Sequence, residues 1–143
     1  MTKIEYYNRK ARHDYQILDT MEAGLILTGP EIKAIRSGRV NLTGSYVKIL
    51  DKEAYWVGGN ISALDGDPQR TRKVLLHKDQ IDKLIGKTSG EGVSLIPLKL
   101  YTTRGIAKLE LGLGKGLKKY DKREVLKKRD QEREAQIRIK GRE

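Results

Sequence analysis

The chain has 143 residues, with 30 Lys or Arg against 19 Asp or Glu, a formal net charge of +11. That length suits one domain plus a tail, and so large a cationic excess points to a polyanionic partner, nucleic acid or an anionic membrane surface, over a merely solubilised exterior. The absence of Cys removes disulfide frameworks, thiolate metal sites and cysteine nucleophiles. The polar stretch 1–10 lacks a signal-peptide core and no apolar run approaches the ~20 residues that cross a bilayer, so a soluble, cytoplasmic protein is expected.

In chain order, residues 1–12 read as a basic, polar lead-in. Residues 13–114 carry nearly all the alternating apolar segments and read mostly as strands. Tyr15–Thr20 and Gly24–Thr28 read as two strands around a turn. Pro30 to Ser37 reads as a helix: Pro30 suits a first-turn position, Gly38 supplies the left-handed stop, and Ile32 and Ile35 face the core. Tyr46–Leu50 and Ala54–Val57 form a hairpin through Asp51-Lys52-Glu53. A second helix is expected near Lys78 to Ile85, with Ile81, Leu84 and Ile85 on one face and Gly86 ending it. Val93–Tyr101 and Ile106–Leu111 form a second hairpin through Arg104-Gly105. Pro97 lacks an N–H and belongs at an edge or a bulge.

Six short strands laid out as a flat sheet would leave edges open to aggregation, and closure removes them. The expected fold is therefore mainly β: a small antiparallel barrel over residues 1–114, of the oligonucleotide-binding type or a similar one, with short helices at its ends. Phe is absent and Trp56 is the only Trp, so the core rests on Leu, Ile, Val and the bodies of some Tyr residues.

Residues 115–143 form a basic C-terminal tail with 12 Lys or Arg and 6 Asp or Glu, or +6. No apolar residue lies between Leu126 and Ala135, so no continuous face can pack on a barrel. The tail is expected to be disordered when free and helical when bound to RNA.

The sequence offers no active site. Neither His13 nor His77 has a partner at metal-ligand spacing, and His77 reads as a helix cap. Gly112, Gly114 and Gly116 alternate with other residues after a strand, with no Ser or Thr after Lys115, so they read as a strand end, loop or hinge and not as a phosphate loop. Two basic clusters remain as RNA-contact candidates. One is Arg70-Thr71-Arg72-Lys73, from which Arg70, Arg72 and Lys73 are taken. The other is Asn8-Arg9-Lys10-Ala11-Arg12, which has Tyr6, Tyr7 and Tyr15 close by. Arg forks hold phosphates, and aromatic rings stack on bases.

Several segments, taken together in their order and spacing, carry a specific resemblance. They are Asn8-Arg9-Lys10-Ala11-Arg12-His13-Asp14-Tyr15, Glu22-Ala23-Gly24, Gly29-Pro30-Glu31-Ile32-Lys33, Asp67-Pro68-Gln69-Arg70-Thr71-Arg72-Lys73, Pro97-Leu98-Lys99-Leu100-Tyr101 and Tyr120-Asp121-Lys122-Arg123. In these the chain resembles the small protein B family, the SsrA-binding proteins, over almost its whole length. The resemblance implies an oligonucleotide-binding barrel that grips the tRNA-like part of transfer-messenger RNA and delivers it to stalled ribosomes. A tail entering the empty messenger channel is also implied, as is the absence of catalysis and cofactor. It assigns RNA contacts to Asn8, Glu22, Leu75 and Lys108. It assigns ribosome contacts to His13 and, around and beyond Gly116, to Lys118, Lys119, Asp121, Lys122 and Arg123. A single copy, bound to transfer-messenger RNA and to the small-subunit decoding centre, is the expected working form. From the residues alone, a basic barrel held permanently on ribosomal RNA stays open. An RNA-processing enzyme would need a carboxylate cluster or a histidine pair.

Overall fold

The computed structural model describes residues 4–64, 66–89 and 92–117. The strands are β1 (Glu5–Tyr7), β2 (Tyr15–Leu25), β3 (Val40–Asn41), β4 (Tyr46–Leu50), β5 (Glu53–Val57), β6 (Asn60–Ile61), β7 (Arg72–Leu75), β8 (Val93–Thr103) and β9 (Ile106–Gly116). The helices are α1 (Arg9–Asp14), α2 (Gly29–Arg36) and α3 (Lys78–Thr88). One antiparallel sheet runs β1-β8-β4-β5-β7-β2-β9, and β9 pairs back onto β8, so β8-β4-β5-β7-β2-β9 close into a barrel. β1 lengthens the β8 edge, and β3 with β6 forms a separate two-stranded ribbon.

Both hairpins turn where two consecutive residues take positive φ, which matches the twist of the flanking strands. Asp51 and Lys52 have φ of 50° and 62°, Arg104 and Gly105 of 52° and 77°. Glu53 is therefore already strand. Pro97 lies at a bulge: the β8–β9 register shifts between Pro97 and Lys99.

Four expectations are corrected. β2 is one strand, not two around a turn. It stays paired to β9 through Glu22-Ala23-Gly24 and absorbs its irregularity in a bulge between Ile17 and Asp19. The lead-in contains β1 and α1. α3 continues through Gly86 to Thr88, whose hydroxyl donates to the Leu84 carbonyl at 2.7 Å; an exposed helical Gly costs only about 1 kcal/mol. The Gly112–Gly116 run is the end of β9 and not a loop or hinge, so the barrel's last strand passes residue 114. Its glycines have a packing reason. A Cβ on Gly112 would stand 2.7 Å from Leu98 Cδ1, and one on Gly114 3.1 Å from Ile96 Cδ1. Ile96 and Leu98 form a small outer cluster under Ala11 of α1, with Tyr15 and Ile17 against it.

The main core fills the barrel with Val47, Ala54, Trp56, Val74, Leu95, Leu100, Leu109 and Leu111, and is closed by Ile35 of α2 and Leu84 of α3. Of the expected helix faces, Ile32 is only half-buried and Ile85 is exposed.

The fold's polar centre is Glu31. It lies in the first turn of α2, where Thr28 and Glu31 make a reciprocal capping box. The carboxylate also receives Arg70 and Arg72. Burial alone would raise its pKa. The bonds from Arg70, the Thr28 N–H and Arg72 outweigh burial and hold it at about 2, against an ordinary 4.5. Because the folded value lies below the ordinary one, this stabilisation is complete above about pH 4.5 and lost as pH falls toward 2. Urea titrations across that window are expected to show stability falling with acid. In Glu31→Gln the part of that acid dependence due to Glu31 should vanish and the neutral-pH stability drop by about 3 kcal/mol. Parallel pH profiles for the two proteins would contradict the assignment.

Candidate nucleic-acid interface

Three of the residues assigned to RNA contact fall on one outer face of the barrel. Glu22, Gly24, Lys108 and Glu110 alternate with the inward Ala23 and Leu109 on β2 and β9, as period-2 strands require. Cross-strand register puts Leu75 opposite Gly24, Gly24 opposite Lys108, and Lys108 opposite Tyr101. The missing side chain at Gly24 leaves a notch. A Cβ there would lie 3.4 Å from that of Leu75, whose side chain is 53% exposed. Lys108 Nζ reaches diagonally to Glu22 Oε1 at 2.7 Å. Burial, and then the Glu22 carboxylate, pushes the Tyr101 phenol well above its usual pKa.

A second row lies beside the first: Glu22 opposite Glu110, Glu110 opposite Lys99, Lys99 opposite Tyr7. Glu110 also receives Arg12 at 3.6 Å and Lys99 at 3.8 Å. Of these, Tyr7 was noted from sequence only as an aromatic neighbour of the basic cluster, and Lys99, Tyr101 and Glu110 were not singled out. The two-residue turn at 104–105 carries the signal that puts 101 opposite 108, but the register beyond the Pro97 bulge, which puts Lys99 opposite Glu110, and the pairing of β1 are visible only in the fold.

The remaining candidates separate. Arg72 is fully buried. Its Nε meets Glu31, Nη1 donates to the Gly59 carbonyl and Nη2 to that of Pro68, both at 2.9 Å. The expected phosphate contact at Arg72 is corrected accordingly: its donors are spent inside. Asn8 is 2% exposed. Its Nδ2 donates to the carbonyls of Pro97 at 2.9 Å and Leu42 at 3.3 Å, and its Oδ1 accepts from the Ala11 N–H. Its expected RNA contact is corrected too, since the side chain pins the start of α1 to β8. Arg70 is partly exposed on its Glu31 pair, and Lys73 is exposed with Glu53 at 3.2 Å. Arg9 is exposed on the first turn of α1. His13 is half-exposed with its Nδ1 3.1 Å from Asp14. His77 takes the N-cap position of α3, its N–H donating to Gln80. Gly116 ends β9, its N–H bonded to the Gly92 carbonyl. Lys118, Lys119, Asp121, Lys122 and Arg123, with the rest of the tail, lie outside the described residues.

Among the described residues no cluster of three or more His, Asp or Glu is placed to hold a metal ion, and no helix is long and apolar enough to cross a membrane.

The pattern of the family described as SmpB protein matches residues 5–141. An SsrA-binding protein of Enterococcus faecalis is 50% identical over 145 residues, spanning 97% of this chain and 94% of that protein. One from Bacillus pumilus is 51% identical, spanning 99% and 94%, and one from Nitratiruptor sp. is 52% identical, spanning 96% and 97%. A solved chain described as "tmRNA-SmpB: a journey to the center of the bacterial ribosome" superposes with a TM-score of 0.69 at 41% identity, spanning 86% of this chain and 94% of that one.

The split of the basic cluster has a direct consequence. Arg72→Ala strands a buried carboxylate and is expected to cost about 3–5 kcal/mol in urea unfolding. Lys73→Ala, losing only a solvated pair, is expected to cost less than about 1 kcal/mol. Similar losses for the two would contradict the placement.

Proposed function

The chain belongs to the SmpB family, and we propose that it is a transfer-messenger RNA-binding protein of trans-translation, working in the cytoplasm as a binding protein and not as an enzyme. It grips the tRNA-like part of that RNA with the barrel and brings it to stalled ribosomes. The observation that carries this reading is whole-chain likeness: about half of all positions agree with SsrA-binding proteins over nearly the full length of both. The face that unites Glu22, Leu75 and Lys108 supports it, because it offers a cation, an acceptor and an apolar contact within neighbouring strands. The +11 charge supports a phosphate-rich partner.

The barrel and the tail divide the work. The barrel holds the RNA. The tail, with its +6, enters the empty messenger channel and becomes helical there, since its own apolar residues cannot offset the ~1–2 kcal/mol per residue that ordering costs. His13 and the tail's Lys118, Lys119, Lys122 and Arg123 then meet ribosomal RNA, and Asp121 puts negative charge at the start of the helix.

Binding to the tRNA-like domain and to an ordinary tRNA, measured across a salt series, tests the first half. The tRNA-like domain is expected to bind more tightly, with roughly 0.7–0.9 of log–log slope for each phosphate neutralised. Equal affinities at moderate salt would sink the reading. Lys108→Ala is expected to weaken binding by ~1–2 kcal/mol with the barrel still folded. Deleting 118–143 is expected to leave that binding nearly intact and abolish tagging on stalled ribosomes. Loss of RNA binding on truncation would overturn the division of labour.

A further inference from the structure

Three tyrosines accompany the N-terminal basic cluster, and the fold turns two of them away. The Tyr6 hydroxyl donates to the Ile35 carbonyl, with its body against the main core. Tyr15 packs over Ile96 and Leu98. Tyr7 alone of the three is exposed, at 56%.

Its ring is nonetheless held. β1 sets Tyr7 opposite Lys99, whose ammonium lies 5.7 Å from the Tyr7 ring centroid and 5.1 Å from that of Tyr101. That ammonium sits between Glu5 at 3.9 Å and Glu110 at 3.8 Å. The Tyr7 hydroxyl donates to Glu5. A ring steadied at one side and at its tip loses little further freedom on meeting a ligand.

The charges around Tyr7 select what that ligand is. Lys99 lies between Glu5 and Glu110, Arg12 sits on Glu110 and Lys108 on Glu22, so cations and carboxylates cancel along the row and give a phosphate beside Tyr7 no net attraction. A nucleobase carries no charge and presents a π-face that stacks on tyrosine whatever its sequence. Tyr7 is two strand spacings from β9, about 10 Å, so an RNA segment held at Lys108 can reach it.

We propose that Tyr7, backed by Lys99, is a stacking subsite for an unpaired nucleobase of the RNA held on the Glu22–Leu75–Lys108 face. The subsite rests on the RNA-binding reading above and adds a contact that reading does not contain. It contributes base stacking with no phosphate neutralised, so it governs affinity without governing salt dependence.

The test uses the full chain and a transcript of the tRNA-like domain, titrated by fluorescence anisotropy over a salt series, with thermal unfolding of each variant. Tyr7→Ala and Tyr7→Leu are expected to lose about tenfold in affinity with the salt slope unchanged, while Tyr7→Phe, which keeps the ring, stays within about twofold of the parent. Should Tyr7→Ala disturb β1, the Leu and Phe variants give the same comparison with the strand's bulk retained. Unchanged affinity in Tyr7→Leu overturns the subsite. Loss in Tyr7→Phe equal to that in Tyr7→Leu also overturns it, because the hydroxyl and not the ring would then be the contact. A lowered salt slope in Tyr7→Leu points to a lost phosphate and overturns it as well. Lys108→Ala, run in parallel, separates the two readings: if it weakens binding and Tyr7→Leu does not, only the subsite fails. If the parent chain does not bind the transcript, the RNA-binding reading fails first.

Discussion

The loops and helices around the barrel depend on one buried carboxylate. Glu31 draws together the start of α2, the Arg70 approach to β7 and the side chain of Arg72. From Arg72 the connection continues. Its guanidinium lies 5.4 Å from the Trp56 ring centroid and bonds to the Gly59 and Pro68 carbonyls. The indole N–H of Trp56 donates to Ser45, the Ser45 hydroxyl to the Leu42 carbonyl, and Asn8 reaches that same carbonyl and the Pro97 carbonyl of β8. A single line of polar contacts thus runs from α2 through β7 and β5 to α1 and β8. Burying two charges is costly in water-free surroundings, and a buried ion pair seldom raises stability over an apolar substitute. What it does supply here is direction: each donor on Arg72 has one acceptor within reach, so loop, strand and helix meet in one arrangement. Gly59 belongs to the same arrangement, because a Cβ there would lie 1.9 Å from the Trp56 ring.

That interior line decides which basic residues are left for the surface. Arg72 and Asn8 stand in motifs that look made for RNA, yet both are consumed in holding the barrel's end together. The outer face of β7, β2, β9, β8 and β1 is left with a lattice of alternating charge and not a uniformly positive field. Its long-range attraction for RNA is modest, and the chain's excess sits largely elsewhere, with +6 of the +11 in residues 115–143. On the proposed reading, attraction over distance and recognition at contact would therefore fall to different parts of the sequence.

The strands legible in the sequence were those whose turns are written in local chemistry. Asp51-Lys52 and Arg104-Gly105 each sit between alternating apolar runs, and both hairpins formed there. Pro97 announced its bulge for want of an N–H. The misread stretches were those whose structure is imposed from a distance. Glu22-Ala23-Gly24 looks like a turn, but β9 carries the pairing across it. Glu5–Tyr7 and Arg72–Leu75 are too short and too polar to read as strands until β8, β5 and β2 supply their partners. Gly112 and Gly114 look like a hinge until α1 presses Ile96 and Leu98 onto them. Of the site, Glu22, Leu75 and Lys108 came from family likeness, and their adjacency came from register. Arg72 was misread because a buried arginine and a phosphate-gripping one have the same sequence signature; only its carboxylate partner, 41 residues away along the chain, tells them apart.

An acidic residue on the face proposed to bind RNA finds its reason in that register. Glu22 lies directly opposite Glu110, and like charges facing across a strand pair are destabilising. The free protein relieves this with cations: Lys108 on Glu22, Arg12 and Lys99 on Glu110. A phosphate that draws Lys108 toward itself weakens that relief and returns part of the repulsion between the two carboxylates. A ligand offering phosphate alone therefore gains the lysine and pays part of it back. A ligand that also offers a donor to Glu22, a base amino group or a ribose hydroxyl, keeps the whole gain. If this face holds the RNA as proposed, the paired carboxylates would act as a filter. They would not add attraction for RNA in general, but would penalise RNAs that cannot place a donor beside a phosphate at Lys108. Specificity would then come through a destabilised alternative, which gives a face proposed for RNA binding a reason to carry acids at its centre.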